Sequence, residues 1–210
     1  MKYHHFSKSV PYSKYIKFQE KSRKMRKESI LFLEHPPTIT AGSNFHENNL
    51  LMTEEELNQK GVKIFYIKRG GDFTAHEPGQ LVIYPHIDLK KRNISVTEFI
   101  HIFRNSIAES IDSIWGISVI DNPDSPGLYL SDNPEKKIVS FGIYFKSFFT
   151  SFGAAVNIDN SLHTFSMIHP CGGKSENITS IQSLGKDTKL KQTFCETIAE
   201  DLMKVFTVRK

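Results

Sequence analysis

Five short runs rich in β-branched and aromatic residues, bounded by Pro, Gly, Asn or Asp, constrain this chain most. They are ILFLE (Ile30–Glu34), VKIFYI (Val62–Ile67), LVIYP (Leu81–Pro85), KIVSFGIYF (Lys137–Phe145) and FTSFGAAVNI (Phe149–Ile158). Such runs are strand signals. Helical periodicity is best in two places. Ser95-Val96-Thr97-Glu98 has the form of a capping box and opens a segment with Phe99, Phe103, Ile107 and Ile111 on one face. Phe194, Ile198 and Leu202 repeat at the same spacing, and Thr53–Lys60 reads as a short exposed helix. Strands and helices alternate without a strict β-α-β rhythm, which favours α+β over a doubly wound sheet. Asp121–Lys136 is crowded with turn residues and reads as a loop or a hairpin with long arms. With 210 residues and no repeat or linker, a single domain over residues 1–210 is expected.

Hydrophobic residues make up 39% of the chain, and no apolar run reaches the ~18–20 residues of a membrane helix. The N-terminus MKYHHFSKSVPYSKY lacks the apolar stretch of a secretory signal, so a cytoplasmic protein with no membrane partner is expected. The two cysteines, Cys171 and Cys195, make no CxxC pair and no zinc spacing. Net charge is +4, with a local run at Lys21–Lys27 (KSRKMRK). That run reads as a solvated helix face or as a docking patch for an acidic partner. No nucleic-acid recognition module surrounds it.

HPCGGKSENITS, residues 169–180, admits two chemistries. Gly173-Lys174-Ser175 resembles the end of a phosphate loop, but that motif needs a glycine where Ile168 stands. No GxGxxG occurs elsewhere, so nothing argues for a nucleotide. Cys171 sits between Pro170 and Gly172-Gly173, in an irregular loop that suits a nucleophile, whereas Cys195 follows Phe194 on an amphipathic helix and fits a buried small hydrophobe. A free thiol is only a few per cent thiolate at neutral pH, so a catalytic one wants a cation or base nearby. Lys137, His76, His169 and Lys174 are the candidates. A second informative stretch is RGGDFTAHEPGQLVIYP, Arg69–Pro85. It reads as a turn before a core strand, or as a glycine-lined wall for an extended acyl or amide group.

Several motifs recur here in a familiar order: Glu34-His35-Pro36-Pro37, Arg69-Gly70-Gly71 with Thr74 and His76, Pro78-Gly79-Gln80-Leu81-Val82, and Tyr84-Pro85 with Asp88-Leu89. Lys137-Ile138 with Gly142, Gly153-Ala154-Ala155 with Asn157, Pro170-Cys171-Gly172 and Thr179-Ser180 complete the set. Together, from about Tyr12 to Ser180, they resemble the lipoate-protein ligase B family of octanoyl-[acyl-carrier-protein]:protein N-octanoyltransferases. The resemblance implies a mixed β-sheet flanked by helices, as in biotin and lipoate protein ligases. It implies transfer of octanoate from acyl carrier protein, through a cysteine thioester, to a lysine of lipoyl domains. The acceptors are those of 2-oxoacid dehydrogenases and the glycine cleavage H protein, and no cofactor, ATP or metal is required. The nucleophile matches Cys171 and the pKa-lowering lysine matches Lys137. The acyl-binding segments match Arg69, Gly70, Gly71, Asp72, Phe73, Thr74, Ala75 and His76, then Ser140, Phe141 and Gly142, then Gly153, Ala154 and Ala155.

The chain departs from the family pattern at Asp72, Ala75, Glu77, Phe152 (in place of a histidine) and Gly173. Asp72 and Glu77 would place negative charge at the pocket rim and raise the thiol pKa if close. Two other readings remain: an ATP-dependent lipoate or biotin ligase, and a non-catalytic module that holds acyl carrier protein or a lipoyl domain.

Overall fold

This computed structural model describes residues 1–122, 125–170 and 173–208. The first half runs β1 (Tyr3–His5), α1 (Tyr12–Met25), β2 (Ser29–Leu33), β3 (Thr38–Ala41), α2 (Glu54–Gln59), β4 (Lys63–Tyr66), β5 (Phe73–His76) and β6 (Gln80–His86). The second half runs α3 (Val96–Trp115), β7 (Val119–Asp121), β8 (Gly127–Leu130), β9 (Lys137–Lys146), β10 (Phe149–Asn157) and α4 (Lys191–Val208). Every strand expected from the sequence is present, and the turn-rich Asp121–Lys136 stretch joins an antiparallel β7–β8 pair.

A seven-stranded sheet has the order β1-β2-β6-β10-β9-β8-β7, and a three-stranded one has the order β4-β3-β5. β1–β2 and β3–β4 pair in parallel while the other ladders are antiparallel, so both sheets are mixed.

Alternation along the strands assigns each face. On β2, Ile30 and Phe32 pack with Phe99, Phe103 and Ile107 of α3 and with Ile198 and Leu202 of α4. Leu31 and Leu33 turn the other way, onto Tyr12 and Tyr15 of α1. Each large apolar side chain so buried contributes roughly 1.5–3 kcal/mol. The small sheet has its own core, in which Ile39, Phe73 and Ala75 meet Leu57, Phe165 and Ile168.

Helix ends follow local chemistry. Ser95 Oγ accepts the Glu98 N–H at 3.1 Å, and α3 stops at Gly116, whose φ of 62° suits glycine. Thr53 and Glu56 make a full capping box at α2. The Lys21–Lys27 run lies on the exposed end of α1 and just beyond it, with Lys24 paired to Glu20 at 2.9 Å and Arg26 to Asp88. That end of α1 approaches Ser147 and Phe149, at the end of the β9–β10 hairpin remote from Lys137. No helix among the described residues is long and apolar enough to cross a membrane.

Candidate active site

Between the α1 face of the large sheet and the small sheet lies a cleft of about 600 Å³, its open mouth included. Segments far apart in the chain line it: Arg69, Gly71, Thr74 and His76; Ser140, Phe141 and Gly142; Gly153, Ala154 and Ala155; and Lys137. Strand alternation explains which residues of the Arg69–His76 stretch reach it. Thr74 and His76 face the cleft, while Phe73 and Ala75 point into the small sheet's core.

Gly70, Asp72, Phe73 and Ala75 do not line the cleft. The two acidic departures also lie elsewhere than the rim expected for them. Asp72 is buried and accepts the N–H groups of His46 at 3.0 Å and Phe73 at 2.8 Å, with Asn49 Nδ2 beside it. Glu77 accepts from Thr164 N at 2.8 Å and Asn160 Nδ2 at 3.2 Å. Both carboxylates hold backbone in place.

Arg69 is 6% exposed, and its guanidinium donates to Thr40 Oγ1 and to the carbonyls of Thr40, Gly70 and Asp72. Its stem lies against Gly142, where an added Cβ would come within 2.8 Å of Arg69 Cδ.

His76 Nδ1 donates to Gln80 Oε1 at 2.7 Å, since an amide oxygen can only accept. Gln80 is itself held by Ala75 O and Asn157 Oδ1. Burial, reinforced by neighbouring His35, pushes the His76 pKa down to about 3. It is therefore a neutral imidazole with Nε2 free of a proton.

Burial also lowers His35 to about 4 and His86 to about 4. His35 donates from Nδ1 to Val10 O at 2.6 Å and accepts from Tyr84 Oη at 2.9 Å. These depressed values set an acid limit. The unfolded chain takes up protons at these sites below ~6.5, while the folded chain resists until pH 3–4. Their stabilisation is complete above pH ~6.5 and is lost as pH falls through the folded values. Urea midpoints should hold steady above pH 7 and drop steeply below 6, with up to about 4 kcal/mol lost per pH unit if all three act. His86→Phe, which removes a ring with no partner at either nitrogen among the described residues, should make that slope shallower. Equal slopes for the two proteins would remove His86 from this account.

Lys137 is 6% exposed at the start of β9. Its Nζ donates to Ser125 Oγ at 3.3 Å and stands 5.3 Å from the centre of the Tyr129 ring. Gly127 makes room for it, since an added Cβ would lie 2.2 Å from Lys137 Cε. Cys171 and Gly172 fall outside the described residues, but the chain on both sides of them is anchored. Ile168 bridges to Leu50, and His169 N donates to Asn49 O at 2.7 Å. Further along, Ile178 bridges to Lys137 and Thr179 N donates to Lys137 O at 2.9 Å. Pro170, which precedes Cys171, lines the same cleft as Lys137. Lys174 is exposed and pairs with Glu176 at 3.5 Å, and His169 is half-buried outside the cleft lining.

From residue 12 to residue 206 the chain matches the lipoyl protein ligase A/B catalytic domain. The chain belongs to this family. Within the lipoyl protein ligase A/B family, it is 53% identical over 187 residues to an octanoyltransferase of Leptospira interrogans, covering 89% of this chain and 87% of that one. It is 31% identical over 195 residues to an octanoyltransferase of Desulforamulus reducens, covering 90% and 84%. Among solved structures, a lipoate-protein ligase A bound with ATP superposes with a TM-score of 0.71 at 13% identity, over 98% of this chain and 85% of that one. An archaeal lipoate protein ligase from Thermoplasma acidophilum gives 0.67 at 12% identity, over 98% and 84%. The fold is thus that of lipoate ligases, as the sequence motifs implied.

Tyr12, Val82, Tyr84, Pro126, Phe152 and Pro170 also line the cleft but were not among the residues expected from the sequence. Alternation along β6 could have found Val82 and Tyr84, which face opposite to Leu81 and Ile83. Tyr12 carries no such signal, because its place depends on how α1 docks.

Proposed function

We propose that the protein is an octanoyltransferase of lipoate biosynthesis, carrying octanoate from acyl carrier protein to a lysine of lipoyl domains. Lipoyl domains of 2-oxoacid dehydrogenases and the glycine cleavage H protein are the acceptors in this reading. The observation that carries it is the 53% identity to octanoyltransferases across most of the chain.

The cleft supports a two-step chemistry. The Cys171 thiolate attacks the donor's thioester carbonyl, a new C–S bond forms as the pantetheine C–S bond breaks, and the pantetheine sulfur leaves as a thiol with the proton of the Lys137 ammonium. The acceptor amine then attacks the Cys171 thioester, its proton passes to a neutral Lys137 amine, and the thiolate is restored. As an ammonium, Lys137 would favour the thiolate before the first step. His76, neutral and held by Gln80, offers a hydrogen-bond acceptor at Nε2 within the cleft. The incoming thioester is already activated, so the cycle needs no nucleotide.

Incubation with octanoyl-acyl carrier protein followed by intact-mass and peptide mass spectrometry tests this. An octanoyl adduct on Cys171 that disappears when a lipoyl domain is added is the expected result. Pyrophosphate release with free octanoate and ATP would instead make the protein a ligase. Tight binding of acyl carrier protein with neither reaction would make it a non-catalytic module.

A further inference from the structure

Along β10, Ala154 and Val156 pack toward α3 and α4, and Ala155 packs toward α1. Regular alternation would send Phe152 with Ala154, toward the core under α3 and α4. Phe152 instead joins Tyr12, Tyr15, Val82 and Tyr84 on the α1 side and lines the cleft. A backbone twist produces this reversal. The φ of Phe152 is 60°, in the left-handed region that a bulky residue rarely adopts. The β9 register is the same on both sides, Ser151↔Tyr144 and Gly153↔Gly142, so no residue is inserted and one residue absorbs the twist.

Neighbouring groups hold the strained conformation. The Phe152 N–H donates to Tyr15 Oη at 3.1 Å, and Tyr15 stacks on Tyr84 with centroids 3.8 Å apart. Backbone strain that its surroundings keep in place at a ligand cleft points to a role there.

The cleft has two unlike ends. Around Lys137, Pro126 is exposed, and Ser125 and Pro170 are half-buried. Around Phe152, which is 4% exposed, Tyr12, Tyr15 and Tyr84 are each 3% exposed or less. Ile143, the β9 partner of Phe152, lies six residues beyond Lys137, roughly 20 Å along the strand from backbone to backbone, a span that the lysine stem and the phenyl ring, both lining the cleft, shorten from its two ends.

We infer that the Phe152 ring is the end wall of the acyl site and sets the longest chain the enzyme accepts. This rests on the octanoyl-transfer reading. An acyl group whose carbonyl sits near Lys137 extends toward Phe152, and a ring there stops chains that a smaller side chain would admit.

The test compares transfer of hexanoyl, octanoyl, decanoyl and dodecanoyl groups from acyl carrier protein by wild type, Phe152→Ala, Phe152→Gly and Phe152→Trp. The alanine variant should raise the dodecanoyl-to-octanoyl ratio of kcat/KM about tenfold or more, since each added methylene discriminates strongly in an apolar site. Glycine should give the same shift and unfold at higher urea than alanine, because it adopts positive φ without strain. Tryptophan should move the preference toward hexanoyl. An unchanged chain-length profile in folded Phe152→Ala and Phe152→Gly overturns the inference. If wild type transfers no acyl group of any length, the octanoyl reading fails instead. Calorimetric titration of the free acids onto wild type and Phe152→Gly then still reads the wall, through the chain length at which affinity stops rising.

Discussion

Cys171→Ser should abolish octanoyl transfer, lowering the steady-state rate by at least ~10³-fold, because a serine hydroxyl lacks the nucleophilicity of a thiolate. Cys195→Ala should leave the rate within about twofold of wild type. Cys195 is 1% exposed in the core beneath α4, and burial pushes its thiol pKa up to about 12, so it is inert at neutral pH. The alanine variant leaves no buried hydroxyl unpaired, which keeps its stability cost near 1 kcal/mol. Transfer rates for the two variants, with folding checked by circular dichroism, decide the matter. Comparable losses in both would remove Cys171 from the mechanism.

Lys137 separates charge from proton transfer. Lys137→Ala removes the cation and should move iodoacetamide alkylation of Cys171 to higher pH, each tenfold loss of thiolate corresponding to ~1.4 kcal/mol. Lys137→Arg keeps the charge and should largely restore the alkylation profile, yet transfer should stay at least ~10²-fold down, because a guanidinium cannot accept the amine proton. The glycine at 127 and the Ser125 hydroxyl fit a slender ammonium, so the arginine fork also meets a tighter cradle. Activity of the arginine variant equal to wild type would reduce Lys137 to an electrostatic neighbour and leave the amine proton to another acceptor. An alkylation profile unmoved in the alanine variant would break the pairing with Cys171.

Much of the large sheet was legible because its strands are long and apolar. β6 and β10 are buried throughout, so they read as continuous hydrophobic runs. The small sheet was harder to read: Thr38–Ala41 is four residues behind Pro36-Pro37, and Phe73–His76 sits within a glycine-rich stretch that looks like a turn. Only the basic end of α1 was read as helical, because the buried face of the helix is Tyr12, Tyr15 and Ser22 rather than an aliphatic stripe. At the cleft, motif order named the segments, but local sequence could not tell which side chains face inward. Asp72 and Glu77 show the limit. Their charge suggested a rim, and only tertiary structure reveals the backbone N–H groups they satisfy. The basic run on α1 lies at the hairpin end remote from Lys137, so a donor held there would have to reach back along the length of the helix.

Arg69 acts as a spacer block. Its head is fastened to the small sheet through Thr40 and its stem bears on Gly142 of the large one. The gap between the sheets is therefore a fixed dimension of the molecule. A straight hydrocarbon can slide lengthwise through such a slot, but a methyl branch would have to pry two sheets apart against several hydrogen bonds at once. In the octanoyl-transfer reading, discrimination by cross-section would thus be built into the frame, independently of the limit on length.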